Sequence, residues 1–384
     1  MKPHYLCLCT FSLIFVYSGL MENGFMKTKH LFSVPLLLSG LMLLGLASCN
    51  SGSIVKRATG VPYEVLVVMD TNLWKGQVGE AVRDKLQEAY PALPQAEPTA
   101  AVSYCEPASF NDFMRYVRNI LLVDVNPSAY TKVSLVADKD VWSSGQQVMR
   151  LQSPSTDSLL WYLQGKTNDI LAYIRQMEQK RYAQYLQENH NSLLAEKTRS
   201  AFQLDIYAPE EMNSSQTDST FLWFSNNANS GRMDLIFYTF PAENKDALEE
   251  SHLIAMRDSV TRLHIPGSFE GSFMTTENRF PVEYESLQNG KQPSAVIRGL
   301  WKMQGDMMGG PFVSYAWYDA PRHRIVVAEG FVYAPETNKK LYMHRLESAL
   351  LTARILKHQP SDLFRMITAT DTPLLRIKVI GPVS

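Results

Sequence analysis

The residues able to do chemistry in this sequence lie far apart, and two groups stand out by type and spacing. The first is Leu46-Ala47-Ser48-Cys49, at the end of an apolar run. Two small side chains let the backbone lie flat in a peptidase groove, and the thiol that follows can accept a diacylglycerol. The second is Trp301-Lys302-Met303-Gln304-Gly305-Asp306-Met307-Met308-Gly309-Gly310-Pro311-Phe312. Glycine permits positive φ and close backbone approach, and methionine is an adaptable surface for an apolar partner. As a binding loop, the run would present Trp301, Gly305, Asp306, Met307, Met308 and the Gly309-Gly310 backbone. As structure alone, it is a wide turn whose methionines close a sheet edge.

Other motifs fail on spacing. Gly165-Lys166-Thr167 ends like a phosphate-binding loop, but Leu160 stands where the first glycine belongs. His190, His252, His264, His323 and His344 include no pair at helical ligand spacing, so no metal is expected. Asp70 and Asp140 read as turn formers or solvated charges. Cys105 closes the strand-like run Ala101–Cys105 and reads as a small buried hydrophobe. No cofactor is implied.

The elements around Cys49 form a secretion signal. Lys27 and Lys29 supply a positive start, and Leu31 to Leu44 an apolar run too short for a comfortable membrane span. The Leu-small-small-Cys ending resembles the lipobox of bacterial lipoproteins, which implies cleavage before Cys49 and its acylation. A second apolar run, Tyr5 to Met21, precedes this signal, so residues 1–25 are expected to lie ahead of the true initiator, Met26. Residues 49–60 read as a tether. Its eleven residues from Asn50 to Gly60 reach roughly 35 Å when extended. In such lipoproteins acidic residues just after the cysteine resemble a surface-export signal; Asn50-Ser51-Gly52-Ser53 carries none, so the resemblance implies a periplasm-facing position.

From Cys49 onward, 34 basic residues face 37 acidic ones, and nothing marks a nucleic-acid footprint. Of the whole chain, 45 % is hydrophobic, enough for a substantial core. The pattern opens with a buried strand at Tyr63–Met69 and an amphipathic helix at Gly76–Tyr90. Strands follow at Val102–Cys105, Asn119–Val125, Lys132–Asp138 and Gln146–Leu151. A helical tract then runs to Ser200, with breaks expected at Gly165 and Asn189-His190-Asn191. Beyond it come strands at Phe202–Tyr207, Phe221–Ser225, Met233–Phe240, Ser272–Thr276, Val282–Ser286, Val296–Met303, Phe312–Tyr318 and Arg324–Tyr333. Helices are expected at Asn244–Leu263 and Glu336–Leu356. Strand–Pro–helix occurs at Met149–Pro154 and again at Gly330–Pro335, which suggests two halves of similar architecture.

An early V-L-V-V-M-D strand, a mid-chain K-x-Y-x-x-Y-L helix and the G-D-M-M-G-G-P-F run of Gly305 to Phe312 together resemble a known family. It is the domain of unknown function 4837 of Bacteroidetes envelope lipoproteins, and the resemblance covers about Val61 to Ile355. It brings no activity and no catalytic residue with it.

The fold class expected is α+β, with two mixed α/β sheet domains bridged by a long helix. The boundaries are a leader at 1–25, a signal peptide at 26–48, the tether at 49–60, an N-terminal domain at 61–154, the bridge at 155–200, a C-terminal domain at 201–357 and a tail at 358–384. The expected function is binding or scaffolding at the membrane face of the cell envelope, on the outer membrane, with another envelope protein or a polymer as partner. The alternative is a hydrolase of envelope material that uses carboxylates such as Asp306.

Overall fold

Apolar residues at almost every position from Tyr63 to Met69 mark a strand buried on both faces, and the first sheet is built around it. A computed structural model describes residues 56–165, 170–218, 220–287 and 292–357. Strand β1 (Glu64–Val68) pairs in parallel with β2 (Ala101–Cys105) and β3 (Asn119–Val125). Strand β4 (Ser134–Lys139) runs antiparallel to β5 (Gln147–Ser153), which is parallel to β3. Alternate residues serve opposite faces. Val65 and Val67 join Leu121 and Met149 in a large core, whereas Leu66 and Val68 join Cys105, Ile120 and Val148 in a small one. Cys105 is the buried hydrophobe expected, at 4 % exposure, and burial pushes its thiol up, away from the reactive thiolate.

The predicted helix at Gly76–Tyr90 is α2 (Gln77–Leu86), and a short helix that the sequence reading lacked, α1 (Thr71–Lys75), precedes it. Asp70 begins the pair as an N-cap, accepting from the amides of Asn72 and Leu73. Asp140 is a turn former, at φ 55°. The tract after Pro154 is three helices where the sequence predicts one long bridge: α3 (Thr156–Gln164), α4 (Ile170–Glu188) and α5 (Ser192–Phe202). Both predicted breaks are present. Gly165 is the C-cap of α3, and Asn191 caps α5 by accepting from Leu194 N at 2.9 Å. Leu159, Ile174, Leu194 and Phe202 of this tract pack into the large core.

The second sheet is antiparallel. Strands β6 (Leu204–Asp205) and β7 (Ser214–Thr217) lead into β8 (Phe221–Ser225) and β9 (Arg232–Pro241). Then come helix α6 (Glu250–His264) and strands β10 (Phe273–Thr276), β11 (Glu283–Leu287), β12 (Ser294–Gln304), β13 (Gly309–Asp319) and β14 (Arg324–Tyr333). Eight of these strands form one sheet in the order β10-β12-β13-β14-β9-β8-β7, with β11 also on β12. The expectation of two similar halves is thus corrected: the first sheet is mostly parallel and the second wholly antiparallel. A strand–Pro–helix echo of six residues is too local to specify pairing. β7 is all hydroxyl and amide, so periodicity could not separate it from a loop.

One face of the second sheet packs on α6. The other joins the large core, where Val296, Val313 and Val326 meet residues of the first sheet. Helix α7 (Lys340–Leu350) also enters this core through Met343, Leu346 and Leu350. It is shorter at both ends than Glu336–Leu356. Its N-terminus is capped from the other half of the chain: the Glu97 carboxylate accepts from Lys339 N at 2.6 Å and Lys340 N at 3.0 Å. All described residues fall in one compact unit, and among them no helix is long and apolar enough to cross a membrane.

Glu97 is almost fully buried, so Glu97→Ala leaves two amides without their acceptor. Loss of about 1–3 kcal/mol of stability is expected, read as a lower denaturant midpoint at unchanged slope.

Candidate functional site

The run from Trp301 to Phe312 is a β-hairpin, and its residue types are those the hairpin requires. Trp301 and Lys302 of β12 pair with Gly310 and Gly309 of β13. The reversal passes through Gly305 at φ +81°, where a side chain would be strained. A Cβ on Gly310 would lie 2.0 Å from the Val332 carbonyl oxygen, so only glycine allows β14 to approach there. Trp301 is buried, edge-on to Phe331, and donates from Nε1 to Val332 O at 3.3 Å.

Asp306 latches the turn to a neighbouring loop. One carboxylate oxygen accepts from Ser268 N at 2.8 Å and the other from Met307 N at 2.6 Å. These amides hold its carboxyl below the usual range. Trp301, Gly305, Asp306, Gly309 and Gly310 thus each have a structural duty in core, turn or ladder. Met308 is half-buried, with its sulfur 3.9 Å from Ser268 Oγ. Met307 is the most exposed of them, at 99 %, and Gly305 is exposed beside it.

Beside the turn is an open groove of about 320 Å³, lined by Glu277, Arg279, Phe280, Lys302 and the hairpin. Its charges satisfy one another. Glu277 pairs with Arg279 at 2.7 Å and with Lys302 at 3.5 Å, and the Arg279 hydrogen bonds pull the Glu277 carboxyl down to about 2. A carboxylate held so low is a poor general acid, and so is Asp306. Of the groove's apolar lining, Phe280 is 53 % exposed; Phe269, next to the Ser268 that Asp306 holds, is also exposed.

A polar cluster that sequence reasoning missed lies inside the large core. The Tyr63 hydroxyl meets His344 Nδ1 at 3.0 Å, Tyr90 donates to Glu347 Oε2 at 3.3 Å, and Arg298 Nε donates to Glu347 Oε1 at 3.0 Å. Behind His344, Arg181 and Arg118 share Glu178, at 2.6 and 3.4 Å. Burial lowers His344 to about 4 and raises both tyrosines. Arg298, which burial would lower, is held up by Glu347. The partners come from α4, β12 and α7 and from residues next to β1, α2 and β3, so no spacing reveals them. The one signal was polar His344, Glu347 and Ser348 standing among the apolar positions of α7. Cys49 lies outside the described residues.

Residues 190–352 match the family model described as a domain of unknown function (DUF4837). The resemblance read from Gly305 to Phe312 thus holds over the second part of the chain. It does not extend back to Val61, because residues 58–187 match another domain of unknown function (DUF8532). The two matches meet where α4 gives way to α5. Among curated proteins none matches. Similar solved structures include a crystal structure from Bacteroides thetaiotaomicron VPI-5482, at 12 % identity and a TM-score of 0.23. The similarity covers 43 % of this chain and 54 % of that one, so the chain spans about half the length of that structure.

Two outcomes follow. Gly310→Ala should cost about 1–3 kcal/mol by forcing β13 off β14, whereas Met307→Ala should stay within about 0.5 kcal/mol, both read from denaturant curves. His344 has a folded pKa below its unfolded value, so the unfolded chain binds the extra proton first as pH falls. Stability should decline from about pH 6.5 to about 4, by roughly 3 kcal/mol in all. His344→Gln should flatten that slope while keeping an acceptor for Tyr63.

Proposed function

We propose that this protein is an acylated envelope lipoprotein, anchored through Cys49 to the outer membrane and facing the periplasm. It binds another envelope protein at the tip of the β12–β13 hairpin. The observation that carries the binding reading is Met307, wholly exposed on a turn that Gly305 and Asp306 hold rigid, with Phe280 and Phe269 exposed nearby. A rigid mount reduces the ordering cost of binding, and a methionine tip adapts to an apolar recess. The lipobox supports the anchor. One acyl chain holds only marginally, at about 0.8 kcal/mol per buried methylene, so several chains are required for permanent attachment. The hydrolase alternative gains no support, since Asp306 and Glu277 are committed to amides and cations.

Mass spectrometry of the N-terminal peptide from membranes tests the anchor. The expected species begins at Cys49 and carries diacylglycerol; an unmodified peptide, or one from residues 1–25, refutes it. Pull-down from membranes tests the tip. A stoichiometric partner captured by the native protein and lost with Met307→Asp is expected, while identical captures, or none, sink the reading.

A further inference from the structure

We propose that the groove between Tyr185 and Arg345 binds the ring of an uncharged saccharide. It lies away from the hairpin residues, so the proposal stands apart from the tip reading. The groove holds about 290 Å³ between the end of α4 and the segment Pro209–Glu211. That is the small end of ligand sites, suited to one ring at a time.

Its floor is apolar, from Leu186 and Pro209, both buried. Its wall is Tyr185, 56 % exposed and backed by Tyr182 with ring centroids 5.7 Å apart and planes at 27°. A backed aromatic ring is a stiff, flat platform with an electron-rich face. The C–H face of a pyranose presents the matching surface, flat, apolar and slightly positive.

Opposite stands a fixed polar pair. Arg345 Nε donates to the Tyr182 hydroxyl at 2.8 Å, and its Nη2 pairs with Glu211. Among the described residues Nη1 has no hydrogen bond, so a donor remains beside the Glu211 carboxylate. Vicinal hydroxyls each donate and accept, and a guanidinium next to a carboxylate serves both needs. Charge narrows the class further. One guanidinium faces Glu210 and Glu211, so no surplus positive charge awaits a phosphate or carboxylate. The extra carboxylate makes a small cation the competing occupant, which the choline probe separates; Arg345, 5.7 Å over the Tyr182 ring, offsets one of the two acids.

The test uses the full-length protein in a detergent without a sugar headgroup. Saturation-transfer NMR is run with glucose, galactose, mannose and N-acetylglucosamine, and with choline and glucuronate as charged probes. Transfer to the ring protons of at least one neutral sugar is expected at about 10 mM or below. Tyr185→Ala should weaken it about tenfold and Tyr185→Phe by no more than about twofold. The near-UV spectra of both variants should remain native apart from the lost tyrosine, since Tyr185 is largely exposed. No transfer from any neutral sugar overturns the proposal. So does binding unchanged in Tyr185→Ala, or tighter binding of choline or glucuronate than of every sugar.

Discussion

The constraint on which the rest of this structure depends is the burial of helix α7. Its apolar side chains meet the core common to the two sheets, and Leu346 lies so close to β14 that a Cβ on Gly330 would stand 2.9 Å away. Such a helix must also satisfy its polar groups without water. It does so by borrowing from the whole chain: Glu97 for its first amides, Tyr63 for His344, and Tyr90 and Arg298 for Glu347. Arg298 lies on the second sheet, Tyr63 directly before β1, and Tyr90 and Glu97 between α2 and β2. A second buried pair repeats the principle beneath α6, where Arg257 forks onto Glu329 at 2.8–3.0 Å over the ring of Phe312. Removing one partner of such a pair strands a charge, which is more costly than never having buried either.

These constraints shape the candidate sites. The second sheet ends in a hairpin that is rigid because its glycines are forced, not free. Rigidity leaves Met307, the most exposed side chain of the turn, free of structural duty. The groove at Arg345 is built differently. There a residue of α7 emerges from the core and its guanidinium is pinned between Tyr182 of α4 and Glu211, so the same helix that organises the interior also frames a surface recess.

Legibility followed the physics of each feature. The parallel strands were readable because burial on both faces demands unbroken apolar runs, as in Glu64–Val68. The breaks at Gly165 and Asn191 were readable because capping is local chemistry. β7 was not, since Ser214–Thr217 has no apolar alternation. The start of α2 at Gly76 was readable, but α1 was missed because its five residues carry too little periodicity to show beside the Asp70 cap. At the hairpin, residue types were read correctly as glycine-dependent. Whether the glycines served a ligand or the Val332 carbonyl depended on a strand more than twenty residues away in sequence.

The sequence by itself determined what local rules control: mixed α and β content, most strands, the caps, the inert Cys105 and the likeness to DUF4837 over residues 190–352. Only the tertiary structure decided which polar residues meet. Tyr63 and His344 are 281 positions apart, and Glu97 and Lys340 are 243. Their bonds exist because burial of the apolar faces brings those segments together, and a polar group taken from water then has to find its partner wherever the fold has put one.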